Sequence, residues 1–506
     1  MKQYTFIFCI VLLALFAHNA TANERANESA SRPASAAAQM SKTTHNGVFN
    51  GQKIDYEVQS GDTHLVDKEG KAKASIFSTA YFRTGIKDLS KRPILFVFNG
   101  GPGSSSVWLH MGVFGPKLVE LPSNAEAVRA APFSLIDNPH SLLDIADMVF
   151  IDPVGTGYSK PLGEYKGKDF WGVKEDAVIM SEFVRTFITQ HERWNSPKYL
   201  AGESYGTTRA GAMVKELQEG WGSIDLNGVF LISSIIDFQT GDFTAGNDIP
   251  FMTFLPTYAA TAWYHDVLEN KQQWASIEVF LDDVRRFALN EYTTFLFKGA
   301  LATEQETEHV LNKLHQFTGL SKQYIKNTNM RINEFYFMKE LLRDRGQVVG
   351  RLDSRYLGTE TNNVEATFDD DPSGYAIDGA YTAAIQYYLA KDLKVKRLEP
   401  YNILSGDVFS NWNWLYGSSP RQQGFLNVTP HLAKAQHQNK DFRIFVANGY
   451  YDLATPFFAT EHSMNHHGII KEKLTMKYYP AGHMMYIHHP SLKQLAKDMR
   501  EFVLQG

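Results

Sequence analysis

Lys198-Tyr199-Leu200-Ala201-Gly202-Glu203-Ser204-Tyr205-Gly206 runs from an apolar strand into a turn of the form G-x-S-x-G. The residues that follow, through Ala210, Met213 and Leu217, repeat apolar positions at helical spacing. A serine in a sharp strand-to-helix turn is presented with its Oγ free and the helix N-terminus behind it. Flanking glycines remove side chains that would clash in so tight a turn. Five-residue matches are common by chance, so the strand–turn–helix setting gives this one its weight.

Other strands of the same kind lie on either side. Ile94-Leu95-Phe96-Val97-Phe98 enters Asn99-Gly100-Gly101, and Asp147-Met148-Val149-Phe150-Ile151 enters Asp152-Pro153. Gly228-Val229-Phe230-Leu231-Ile232, Arg443-Ile444-Phe445-Val446-Ala447 and Leu474 to Tyr479 complete the set. Continuous apolar runs of this length suit strands buried on both faces of a parallel sheet. Glu175 to His191 carries a broad apolar stripe through Ala177, Met180, Phe183, Val184 and Phe187, which predicts a helix between strands. The alternation predicts an α/β fold with a central, mostly parallel sheet. From about Asp242 to Tyr388 the strand signal fades, and Trp274–Leu289 and Glu304–Phe317 have helical periodicity. The expected division is a core of 45–241 and 389–506, interrupted by a mostly helical cap insertion, 242–388. The insertion is expected over the sheet's C-terminal edge, where ligands bind in such folds.

The N-terminus reads as an export signal. Lys2 precedes the apolar run Phe6 to Ala17, and Ala20-Thr21-Ala22 offers small residues for cleavage after Ala22. The run is too short to span a bilayer as a helix. Residues 1–22 are therefore expected to be removed, and 23–44, rich in Ala, Ser, Asn and Thr, to form a disordered leader. Cys9, the single cysteine, lies in the signal, so the mature chain has neither a disulfide nor a cysteine nucleophile. That fits an exported, periplasmic or secreted bacterial protein with no membrane attachment after cleavage. The 506 residues, 43% hydrophobic, suit one large domain with an insertion or two domains. A net charge of −5, without a basic cluster, points away from nucleic acid.

A serine is a weak nucleophile until a histidine accepts its proton and an acid orients that histidine. In an elbow of this kind the chain order is serine, acid, histidine. Asp452 follows Ala447-Asn448-Gly449-Tyr450-Tyr451, and His483 lies in Ala481-Gly482-His483-Met484, each just past a late strand. The rival histidines are His462, His466, His467, His488 and His489, and the rival acid is Asp407, which precedes the wrong strand. The His466-His467 and His488-His489 pairs lack carboxylates at metal-ligand spacing, so neither a metal nor a cofactor is expected. Asn99-Gly100-Gly101-Pro102-Gly103 can offer backbone N–H groups to an oxyanion, with Gly101 and Tyr205 the candidate donors. It lacks the Gly-Lys-Ser/Thr ending of a phosphate loop.

Asn99-Gly100-Gly101-Pro102-Gly103-Ser104-Ser105-Ser106, Asp152-Pro153-Val154-Gly155-Thr156-Gly157-Tyr158-Ser159 and Gly202-Glu203-Ser204-Tyr205-Gly206 together resemble the serine carboxypeptidase family, of α/β-hydrolase fold. Asp452 and Gly482-His483-Met484 fit the same pattern. The resemblance implies a carboxypeptidase that releases C-terminal residues through an acyl-enzyme on Ser204. It also implies that Asn99, Gly100 and Glu203 grip the terminal carboxylate of a peptide. Glu203 donates to a carboxylate only when protonated, so binding is expected to weaken as pH rises.

Three departures stand out. Ser104 replaces a disulfide-forming cysteine. The stretch Val113-Phe114-Gly115-Pro116 has no acid where many relatives place a second glutamate. The histidine turn continues Met484-Met485-Tyr486-Ile487, more apolar than usual. The alternatives are a serine esterase or acyltransferase with the same triad, and a non-catalytic binding protein on a hydrolase scaffold. Trp263, Tyr264, Phe335, Tyr336 and Phe337 are read as core before pocket walls.

Overall fold

The structure is a computed structural model that describes residues 38–126, 130–220, 222–416 and 424–505. The expected signal, 1–22, lies outside the described residues. Nine strands of the main sheet are β1 (Met40–Phe49), β2 (Gln52–Val66), β3 (Ala72–Arg83), β4 (Ile94–Phe98), β5 (Asp147–Ile151), β6 (Lys198–Ser204), β7 (Gly228–Ser234), β8 (Arg443–Gly449) and β9 (Leu474–Tyr479). They lie in the order β1-β2-β3-β5-β4-β6-β7-β8-β9, and Lys160–Pro161 adds a short strand to β3. β1, β2, β3 and β5 pair antiparallel in succession. From β5 to β9 every pairing is parallel.

The apolar runs explain the layering. Side chains alternate across a strand, so in β4 Ile94, Phe96 and Phe98 pack into one core while Leu95 and Val97 pack into the other. β8 divides likewise, with Ile444 and Val446 on one side and Phe445 and Ala447 on the other. The longer helices are α1 (Val173–Gln190), α2 (Tyr205–Gln218), α3 (Ile249–Tyr264), α4 (Ile277–Phe287), α5 (Glu304–Thr318), α6 (Asp378–Tyr387), α7 (Thr429–Gln438) and α8 (His489–Leu504). α1, α2 and α7 cover the first face. α8, α6 and the Val107–Phe114 segment cover the second.

Among the described residues, no strand joins the main sheet between β7 and β8. α3, α4 and α5 form a core of their own around Phe254, Tyr258, Phe280, Leu281, Leu314 and Phe317. That core also takes in Tyr450, Tyr451 and Leu453, which flank Asp452.

The expected leader is corrected at its end. Residues 40–44 belong to β1, which pairs with β2 from Met40 opposite Gly61 to Phe49 opposite Gln52. β1 alternates exposed and half-buried positions and seats only Phe49 in the core. Its polar residues are held by ladder hydrogen bonds, which composition does not reveal.

At the N-terminal end of the parallel strands, Asp147 lies between two buried arginines. It accepts from Arg92 Nε at 2.7 Å and from Arg193 Nη1 at 2.6 Å. Arg193 also donates to the Arg92 carbonyl at 2.7 Å and to Ser196 Oγ at 2.6 Å.

Candidate active site

The opposite end of the sheet gathers the residues that the motifs singled out. β6 ends at Ser204, which N-caps α2 with φ 59° and ψ −131°. A non-glycine residue at positive φ persists only where its surroundings hold it there, and such positions cluster at active sites. Asn99 and Gly100 follow the end of β4, which pairs with β6. A Cβ on Gly100 would stand 2.5 Å from Tyr205 N and 2.7 Å from Glu203 O, so only glycine lets this loop lie against the elbow. Gly101, the other candidate donor beside Tyr205, has φ +100°.

Beneath the loop, Arg209 of α2 is wholly buried. It donates through Nε to Asp176 of α1 at 2.6 Å and through Nη1 to the Asn99 carbonyl. Asn99 is fixed from its side chain as well, with Oδ1 accepting from Leu109 N at 3.1 Å and Nδ2 donating to Glu203 Oε2.

The predicted acid and base meet directly. His483 Nδ1 lies 2.8 Å from Asp452 Oδ2, and both side chains are buried. The turn that carries Asp452 satisfies its other lone pairs, since Oδ1 accepts from Ala454 N and Thr455 N at 2.9 Å each. Thr455 Oγ1 donates to Oδ2 at 2.6 Å and stands 3.2 Å from His483 Nδ1. Burial disfavours charge on His483, but the Asp452 carboxylate and the nearby Glu203 outweigh it and hold the imidazole above its ordinary value.

Glu203 is also buried. Burial pushes its carboxyl up to about 7, against the opposing pull of His483, the Tyr486 hydroxyl and the Asn99 amide. Tyr486 Oη donates to Glu203 Oε2 at 3.0 Å, whereas Oε1 has no partner.

The 351–354 segment crosses over both turns. Leu352 O accepts from His483 N at 2.6 Å, and Asp353 Oδ2 accepts from Gly482 N at 3.1 Å. Ser354 N donates to Tyr451 O at 2.9 Å, and Leu453 N donates to Arg351 O at 3.0 Å. The backbones before and after Asp452, and that of His483, are thus tied to one short stretch of the region read as an insertion.

The rival residues lie elsewhere. Asp407 is exposed in the short helix Gly406–Ser410, His466 Nδ1 is engaged by the His462 carbonyl, and His488 Nδ1 by Ser491 Oγ. Of the five aromatic residues, Phe337 is core, and Trp263 and Phe335 pack partly buried against it. Tyr264 and Tyr336 are exposed at 42% and 45%, which corrects the core reading for these two.

The family model for serine carboxypeptidase matches residues 59–496. The chain belongs to the serine carboxypeptidase family. Among curated relatives of this serine carboxypeptidase family member, serine carboxypeptidase-like 13 of Arabidopsis thaliana is 29% identical over 37% of the chain and 41% of the relative. Retinoid-inducible serine carboxypeptidase of Homo sapiens is 29% identical over 38% of the chain and 40% of the relative. The matches thus span about two fifths of these relatives' lengths. The fold is that of the prohormone-processing carboxypeptidase KEX1(delta)p from Saccharomyces cerevisiae, with TM-score 0.53, 15% identity, and 88% and 90% of the two chains covered.

Five residues of this family member's site escaped the sequence reading: Arg209, Leu352, Asp353, Thr455 and Tyr486. Thr455, three residues beyond an aspartate in a turn, carried a usable signal, because Asx turns recruit such neighbours. Val113 lies in the core, and the polar contact to Glu203 comes from Tyr486 instead.

Proposed function

We propose that the protein is a serine-type carboxypeptidase that releases C-terminal amino acids from peptides with a free C-terminus. Ser204 Oγ attacks the scissile carbonyl while His483 Nε2 takes its proton. His483 then passes that proton to the leaving amino group, and the acyl-enzyme forms. Water repeats the sequence in reverse roles, freeing Ser204 and the shortened peptide. Asp452 holds the Nδ1–H tautomer of His483 and stabilises the transient imidazolium. Backbone N–H groups of Gly101 and Tyr205 receive the oxyanion, each donor worth roughly a hundredfold or more in rate. Asn99, Gly100 and Glu203 receive the terminal carboxylate, and no cofactor enters.

The observation that carries this reading is Glu203, a buried acid next to Ser204 whose Oε1 has no partner and whose carboxyl sits near about 7. Protonated, it has one donor to offer, which makes a stronger, charge-assisted hydrogen bond to a carboxylate than to the neutral carbonyl of an ester or an amide end. Below about pH 7 Glu203 carries its proton and binds the carboxylate, and as pH rises through that value the grip is lost.

The test compares an N-blocked dipeptide with its C-terminally amidated twin from pH 4 to 8. Release from the free acid alone, with kcat/KM falling above about pH 7, is expected. Equal cleavage of both would remove the carboxylate grip, and hydrolysis of esters alone would favour an esterase or acyltransferase. We also propose export by removal of residues 1–22, which N-terminal sequencing of the mature protein checks by a first residue at Asn23.

A further inference from the structure

Resting on the carboxypeptidase reading, we infer that Tyr486 is a positioning residue for the terminal carboxylate: its hydroxyl and the Asn99 amide fix Glu203 Oε2 and leave Oε1 as the face offered to the peptide. Two donors converge on one carboxylate oxygen while the other has none, although both are buried. A carboxyl free to rotate about its last bond would exchange its two oxygens. Anchoring one of them sets the direction of the other.

The anchor is itself rigid. Tyr486 is wholly buried, and a Cβ on Gly112 would stand 2.3 Å from its ring and 2.8 Å from Tyr381 Oη. Gly112 is thus the residue that lets the aromatic ring slide in beside Glu203.

The titratable groups facing Glu203 are His483 and Asp452 from the turns after β9 and β8, Tyr486 from the histidine turn, and Tyr381 from α6. Both tyrosines are held well above their ordinary range by burial and stay protonated donors at working pH. Neither tyrosine shares the proton that governs carboxylate binding, and no carboxyl at Val113 pairs with Glu203; the titration of Glu203 is instead coupled to that of His483. KM for a free-acid peptide is expected to rise with pH as Glu203 loses its proton.

Tyr486→Phe is the test. Below about pH 7, where Glu203 is protonated, KM for the free-acid peptide is expected to rise up to about tenfold, the upper scale of one neutral hydrogen bond, with kcat within twofold. The alkaline limb should move to higher pH, because the lost hydrogen bond had favoured the carboxylate form of Glu203. Hydrolysis of an ester without a free carboxylate, measured in parallel, should be unchanged and serves as the control for folding. In a Glu203→Gln background the added Tyr486→Phe change should no longer shift the pH limb. A wild type that demands the free carboxylate, with a Tyr486→Phe variant that keeps its KM and pH limb, overturns this inference alone. Equal loss on acid and ester also overturns it, by assigning Tyr486 a structural role. Equal cleavage of acid and amide by the wild type instead overturns the underlying carboxypeptidase reading.

Discussion

The two ends of the parallel strands bury charge in opposite ways. At the N-terminal end, Asp147 lies between Arg92 and Arg193 with an ion pair from each side, and Arg92 Nη2 also donates to the Leu143 and Ala146 carbonyls. At the C-terminal end, Glu203 keeps one oxygen without a partner, and Ser204 holds a positive φ. Buried polar groups cost stability unless they are paired. The first end satisfies its buried charges within the protein, whereas the second leaves one buried carboxyl oxygen without a protein partner. Stability and function thus occupy the two ends of the same strands.

Ser204→Ala tests that division most severely. Loss of roughly a millionfold in kcat, the scale seen when a serine nucleophile is removed, should come with an unchanged melting temperature. Retained activity would remove Ser204 from its role. Asp452→Asn should lower kcat about 10⁴-fold by leaving His483 in the wrong tautomer, and an unchanged rate would remove Asp452 from its role as the orienting acid. At the opposite end, Asp147→Ala leaves two buried guanidinium groups without their carboxylate. Denaturant unfolding should show a loss of about 3–5 kcal/mol, with kcat/KM of the folded protein nearly unaltered. A variant that kept its stability but lost activity would break the comparison.

The smallest effect is also the sharpest. Between pH 4.5, the ordinary value for a glutamate, and about 7, the unfolded chain releases a proton that folded Glu203 retains. Stability therefore falls as pH rises through that window and stays lower above it. Glu203→Gln should raise stability by about 1–3 kcal/mol at pH 8 and leave it unaltered at pH 4. No gain at pH 8 would mean that the carboxyl is better compensated than its burial implies.

The most legible strands are those with unbroken apolar runs. β4 and β5 match theirs residue for residue and are buried along their whole length, as strands covered on both faces require. β9 matches too, although it is an edge strand and half-buried up to Tyr479. β1, β2 and β3 were missed: in β3, buried from Ala74 to Tyr81, Ser75, Ser78 and Thr79 interrupt the apolar run, and β1 and the first half of β2 are largely half-exposed. In β2 the buried Ile54, Tyr56 and Val58 alternate with residues that are exposed or half-buried, and a half-exposed antiparallel strand gives a weak signal beside polar turns. The site divided similarly. Ser204, Asp452 and His483 could be singled out because Ser204 ends β6 in a motif and the other two stand in turns just past β8 and β9, where the structure brings Asp452 and His483 together. Leu352 acts through a backbone carbonyl, and Asp353 and Tyr486 touch residues more than a hundred positions away. Contacts of that kind have no local spacing to read.

Residues 351–354 set a rule for anyone who would re-engineer this molecule. α3, α4 and α5 share their core with Tyr450, Tyr451 and Leu453 on either side of Asp452, and the stretch beyond them bonds through its backbone to the turns of Asp452 and His483, so helices and stretch both support the catalytic turns. A chimeric enzyme would need both Arg351 to Ser354 in register and an apolar cover over Tyr450, Tyr451 and Leu453 to keep acid and base aligned. A graft that changes the length of this stretch by a single residue would import a new roof and lose the hinge-pin of the catalytic turn.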